Sequence, residues 1–245
     1  MPFTFSHPAL VLPLAYFPKR WFSMTGLIIG SMTPDFEYFL RMKIQSLYSH
    51  SLDGLLWFDL PLGIVIAFVF HLLVRDTLFV HLPKSIQCRL TVYIGFDWAN
   101  YFKRKWLIVC TSLLIGAASH ILWDGFTHEH GYFATTIPQL TQSISLLGKD
   151  LLLFKILQHG STLIGAIVIL YAFLQLPLQP NAKKGNNSTY WGIVSIVAVL
   201  IITLRLAFGL PFRQYGHLIA TGIAGLMMGL VLASFITRKI HNSNY

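Results

Sequence analysis

Acidic side chains are scarce in this chain. Nine Asp and Glu occur among 245 residues, and charged residues of both signs make up 11%, against about 25% in ordinary soluble domains. With 55% of the residues hydrophobic, that shortage excludes a typical water-soluble globule. Cysteine is nearly missing as well. Cys88 and Cys110 are the two present, too few and too badly placed for a disulfide framework or a thiolate zinc site. No internal repeat is visible. A signal-peptide pattern is also lacking, because Lys19 and Arg20 follow the first apolar run instead of preceding it, so the initial segment is expected to stay in the mature protein.

What the chain does have is long apolar runs. Segments at about 55–74, 106–124, 151–175, 190–209 and 215–236 each approach the roughly 20 residues that cross a bilayer. The expected fold is all-α and polytopic: five transmembrane helices plus an N-terminal helical hairpin or re-entrant region before residue 40. A single integral membrane domain over 1–245 is expected. It comprises a motif-bearing part (1–175), a polar cytoplasmic linker (176–190) and two closing helices (191–245).

The net charge of +9 does not form one basic stripe, so nucleic acid is not an expected partner. Arg75, Lys84, Arg89, Lys103, Arg104, Lys105, Lys183, Lys184, Arg238 and Lys239 fall in one set of connections. Arg41, Lys43, Lys149 and Arg213 fall in the other, with most of the acids. The positive-inside rule then puts the first set and the C-terminus in the cytoplasm. Membrane lipids are the expected partners. Phe96–Trp106, rich in aromatics and cations, reads as an interfacial helix.

Against this background two stretches stand out: Ser31-Met-Thr-Pro-Asp-Phe-Glu37, and Gly116-Ala-Ala-Ser-His-Ile-Leu-Trp-Asp-Gly-Phe-Thr-His128. Ionisable groups inside apolar segments are costly and point to function by default. Trp21 to Asp35 and Trp106 to His120 are both 14 residues. At 1.5 Å per helical residue each travels about 21 Å from a cation–Trp anchor. His7 precedes Trp21 by the same 14 residues, so a hairpin would return it to that depth, with Gly26 and Gly30 letting the two arms pack closely. His120 and Asp124 share a helix face at i, i+4. His128 extends that face if the helix survives Gly125. His50 lies on the outer connection and is expected to fold over the same mouth.

Imidazole and carboxylate are ligands for zinc or manganese-like ions. The expected metal ligands are His7, Asp35, His50, His120 and Asp124, holding one or two divalent ions, with zinc the first choice. Asp35 or Glu37 is the expected general base. Further candidates are His128, His159 as an additional cavity residue or a packing contact, and Asp59 as an orienter of His50.

These motifs resemble an uncharacterised bacterial membrane-protein family, domain of unknown function 4184. The likeness runs over Met1–Pro8, Gly30–Phe39, His50–Leu52, Asp59–Gly63 and Gly116–Gly131. The chain is also similar to predicted inner-membrane metal-dependent hydrolases, whose early His, Pro-Asp, His-Ser and Ser-His-x-x-x-Asp motifs correspond to His7, Pro34-Asp35, His50-Ser51 and Ser119-His120 with Asp124. The order of ligand types is similar to the zinc-dependent phospholipase C and S1–P1 nuclease fold. One departure is Leu163, which stands where that fold carries a Glu after His159, and it speaks against a three-metal cluster. The resemblance implies a hydrolase of phosphate esters or lipid headgroups at the outer face of the bacterial cytoplasmic membrane. A transporter or ion pathway, or a structural protein with a metal or polar helix clamp, remains open beside it.

Overall fold

A computed structural model describes residues 3–18, 20–146, 148–179 and 187–243. Five of its helices are long and apolar enough to cross a membrane: Leu52–Val80, Trp98–Thr136 (which includes a short break), Leu153–Leu174, Asn187–Ala207 and Tyr215–Lys239. The chain is an all-α polytopic membrane protein whose described strands form one short hairpin, Ser143–Leu146 against Lys149–Leu152. Lys183 and Lys184 of the linker, and Lys19 of the first anchor, lie outside the described residues.

The N-terminal arm is three short turns, Thr4–Ser6, Pro8–Val11 and Leu12–Tyr16, the first and last of them 3₁₀. Pro13, which lacks an N–H to donate, leaves no continuous α-helix there. Helix α1 (Met24–Gly30) starts at Ser23, whose hydroxyl accepts from Gly26 N–H, and α2 (Thr33–Arg41) follows after a short break. We number the remaining helices α3 (Leu52–Val80), α4 (Lys84–Leu90), α5 (Trp98–Thr127), α6 (Tyr132–Thr136), α7 (Leu153–Leu174), α8 (Asn187–Ala207) and α9 (Tyr215–Ser243). Two π-helical turns interrupt α3, at Leu55–Asp59 and Phe70–Val74. Non-helical dihedrals at Lys105 break α5, so that Trp98–Arg104 forms a separate first segment.

The residues cluster into two compact units. The first contains Met1–Asp35, Tyr48–Ile64 and Lys105–Gln175; the second contains Phe36–Leu47, Val65–Arg104 and Leu176–Tyr245. In the first, α1 lies backbone to backbone against α5. A Cβ on Gly26 would meet Val109 O and the Ser112 side chain at 2.8 Å, and one on Gly116 would meet Ser31 N at 2.6 Å. Gly26 and Gly30 therefore serve the α1–α5 approach, not chiefly the packing of the two arms that their spacing predicts, because Gly30 faces the Leu113 backbone. Small residues at such a crossing are the usual way for membrane helices to gain contact. In the second unit, α8 and α9 pack as a long pair in the same way. Gly225 meets Ala198, Gly229 meets Val194, and Tyr190 hydrogen-bonds Ser234 across the pair at 3.1 Å.

Candidate metal centre

Helix α5 carries His120 and Asp124 one turn apart on a buried face. The close α1–α5 crossing sets the ring of His120. Its Nδ1 donates to Ser31 O at 2.7 Å, and since a carbonyl only accepts, Nε2 is left with its lone pair exposed to the site. Asp35, in the first turn of α2, is fully buried. Thr4 of the N-terminal arm donates its hydroxyl to Asp35 Oδ2 at 2.5 Å, leaving Oδ1 for the centre. His50 comes from the loop before α3, and its Nδ1 pairs with Ser49 Oγ at 3.0 Å.

Four donor atoms from these elements converge: one each from Asp35, His50, His120 and Asp124, all within 4.8 Å of one another. His120 Nε2 lies 3.5 Å from Asp35 Oδ1 and 3.3 Å from Asp124 Oδ2. His50 Nε2 lies 3.6 Å and 3.5 Å from the same two oxygens. Neither Asp35 Oδ1 nor His120 Nε2 has a hydrogen-bond partner among the described residues, though both are buried. A metal with ligand distances of 2.0–2.2 Å holds tetrahedral donors roughly 3.3–3.6 Å apart. Four of the six separations fall in that range, and all six are within 4.8 Å. Such spacing suits a cation held between the donors.

His7 joins the group through one of its members. It is buried, its Nε2 lies 3.2 Å from Asp124 Oδ1, and its ring stacks on His120 at 3.8 Å. It thus orients the carboxylate and lies outside the four-atom convergence. All four donor residues are held from behind, by Thr4, Ser49, Ser31 O and His7. Such outer contacts fix ligand orientation and add ligand basicity. Thr4, Ser31 and Ser49 are not among the site residues that the sequence pattern marks. Hydroxyls and carbonyls carry no pattern of their own, and the glycines opposite Ser31 were the only available signal.

The remaining candidates divide. The helix does survive Gly125, so His128 stays on the Asp124 face, with Nδ1 3.1 Å from Asp124 O and 3.5 Å from Asp124 Oδ1. Glu37 belongs elsewhere: Arg41 Nε donates to its Oε1 at 2.7 Å, Leu47 N to the same atom at 2.9 Å, and Ser46 Oγ to Oε2 at 3.1 Å. It organises the 42–47 turn. His159 is exposed on α7 and does not reach the centre. That helix instead supports the N-terminal arm, through Thr162 Oγ1, which accepts from Phe3 N, and Gly165, which meets Ser6. Asp59 is buried at the end of the first π-helical turn, outside the four-atom group.

His50, on its loop, is partly accessible, with a side chain 20% exposed. Burial alone would lower its pKa, but the facing carboxylates of Asp124 and Asp35 outweigh that and raise it above the ordinary histidine value. A proton and a metal ion would therefore compete for the same nitrogen.

The fold and the centre together describe a polytopic membrane protein with a histidine–carboxylate group able to hold a metal ion. The chain belongs to the family described as Domain of unknown function (DUF4184), which matches residues 1–235. No curated protein and no solved structure matches it.

Proposed function

We propose that this protein is a membrane-embedded, metal-dependent hydrolase, with zinc as the first choice of ion. The observation that carries this reading is the set of four donor separations of 3.3–3.6 Å among Asp35, His50, His120 and Asp124. When bound, a divalent ion would lower the pKa of a water and polarise the scissile group. Asp35 and Asp124 balance its charge, while Thr4 and His7 keep their carboxylates from rotating. With Glu37 tied to its own turn, Asp35 is the remaining general base, and taking the water's proton at Oδ2 would require the Thr4 hydroxyl to release that oxygen. His50 and the partly exposed His128 mark the side from which substrate enters.

The order of motifs, similar to that of inner-membrane hydrolases and of the zinc-dependent phospholipase C and S1–P1 fold, supports a phosphate ester or lipid headgroup as substrate. Charge asymmetry supports a site toward the outer face of a bacterial cytoplasmic membrane, with the C-terminus inside. A metal clamp between helices is the second reading. Four protein donors can close a tetrahedral shell, as structural zinc sites do, whereas catalytic ones keep a position for water.

The test is made on the purified full-length protein. Its metal content is measured first, and then hydrolysis of bis-para-nitrophenyl phosphate before and after chelation and zinc return. The hydrolase reading expects bound metal and activity that follows it. Metal without hydrolysis of this or a lipid phosphodiester supports the clamp, and a metal-free native protein sinks both.

A further inference from the structure

A second site lies in the other unit, independent of the metal centre. Helix α9 begins at Tyr215. Arg238 stands 23 residues further on, about 35 Å at helical rise, a membrane span's length from Tyr215. There Leu73, Phe235, Arg238 and Lys239 line an open cavity of about 330 Å³. Among the described residues its lining is two apolar side chains and two cations, with no acid among them. The nearest acid in sequence to Leu73, Asp76, is already engaged by Arg75 Nε and Gly95 N.

The position of Arg238 is set by the backbone of α3. Leu72 lies within the π-helical turn Phe70–Val74, where the wider i, i+5 bonding alters which carbonyls the helix itself satisfies. Leu72 O accepts from Arg238 Nη1 at 2.8 Å. That bond uses one of the five guanidinium donors, so the fork is oriented while most of its hydrogen-bonding capacity stays available. Phe235, one turn earlier, is 58% exposed and offers an apolar surface below the charges.

We propose that this cavity binds an anionic phospholipid. The phosphate would take Arg238 and Lys239, and the start of an acyl chain would lie on Leu73 and Phe235. Cations at a helix end also serve the helix dipole and membrane topology, but those roles need neither the cavity nor the tie to Leu72. A basic pocket between membrane helices fits a charged headgroup.

Native mass spectrometry of the delipidated full-length protein in detergent tests this, with phosphatidylglycerol and phosphatidylcholine of matched chains. Phosphatidylglycerol should bind at least about tenfold more tightly. Arg238→Gln with Lys239→Gln should remove that preference, and each single change should weaken it about fivefold. The singles keep the test valid if the double variant inserts poorly. Equal binding of the two lipids, or single variants indistinguishable from the parent, would overturn the proposal. So would full displacement of the lipid by equimolar inorganic phosphate, since that would assign the site to phosphate alone.

Discussion

Both units bury charge, and they do so in different ways. In the second unit Arg75 is 3% exposed, and its guanidinium reaches Asp76, His71 and Phe96 O. Glu37, just as buried, takes a guanidinium, a hydroxyl and a backbone N–H. In the first unit Asp35 Oδ1 and Asp124 Oδ2 face His50 and His120 at 3.3–3.6 Å, and Asp35 Oδ1 and His120 Nε2 have no hydrogen-bond partner among the described residues. Apolar surroundings penalise an uncompensated charge in either place. A carboxylate with its partners in place stabilises a turn. One whose free oxygen converges with imidazole nitrogens at metal-ligand spacing suits a bound ion. Burial alone would not have told Glu37 from Asp35.

Breaking this contrast gives the largest expected effect. Asp124→Asn keeps the side chain's size and removes the charge, so metal affinity should fall by more than about a hundredfold, beyond the range for outer contacts. Any hydrolytic activity should fall with it while the protein stays inserted, as metal analysis of the purified variant would show. Unchanged metal content would remove the distinction between the two units.

Thr4→Val is the next step down. It deletes the hydroxyl behind Asp35 Oδ2 and should weaken metal binding about 10–100-fold, read by titration against a chelator. A variant that binds metal like the parent would make Thr4 a packing residue. Glu37→Gln, the matched change in the second unit, should cost about 1–3 kcal/mol of stability through its lost charged hydrogen bonds. Metal bound per folded protein should not move; if it drops, Glu37 serves the centre after all.

The smallest effect is graded with acidity. His50 holds its proton more tightly than a free histidine, so protonation opposes metal binding increasingly as pH falls below its raised pKa. Metal affinity should therefore decline steadily from neutral pH downward. His50→Ala should flatten that decline in the chelator titration, and an unaltered slope would assign it to other ligands.

Hydropathy along the chain determined the five spans and the class of fold, since crossing a bilayer is a demand on local composition and length. Helical period determined that His120 and Asp124 share a face, because neighbours four residues apart depend on nothing outside the helix. The survival of that helix through Gly125 was not legible in the same way, since helix propensity is a weak prior that tertiary context overrides. Tertiary structure alone decided the rest. The α1–α5 crossing at Gly26, Gly30 and Gly116 put Ser31 O against His120. The N-terminal turns brought Thr4 and His7 behind two carboxylates, and a loop delivered His50. It also excluded His159 and gave Glu37 to a different set of partners. Convergence of donors from three separate segments depends on how closely backbones approach and where turns aim side chains, and no periodicity within one segment encodes those distances.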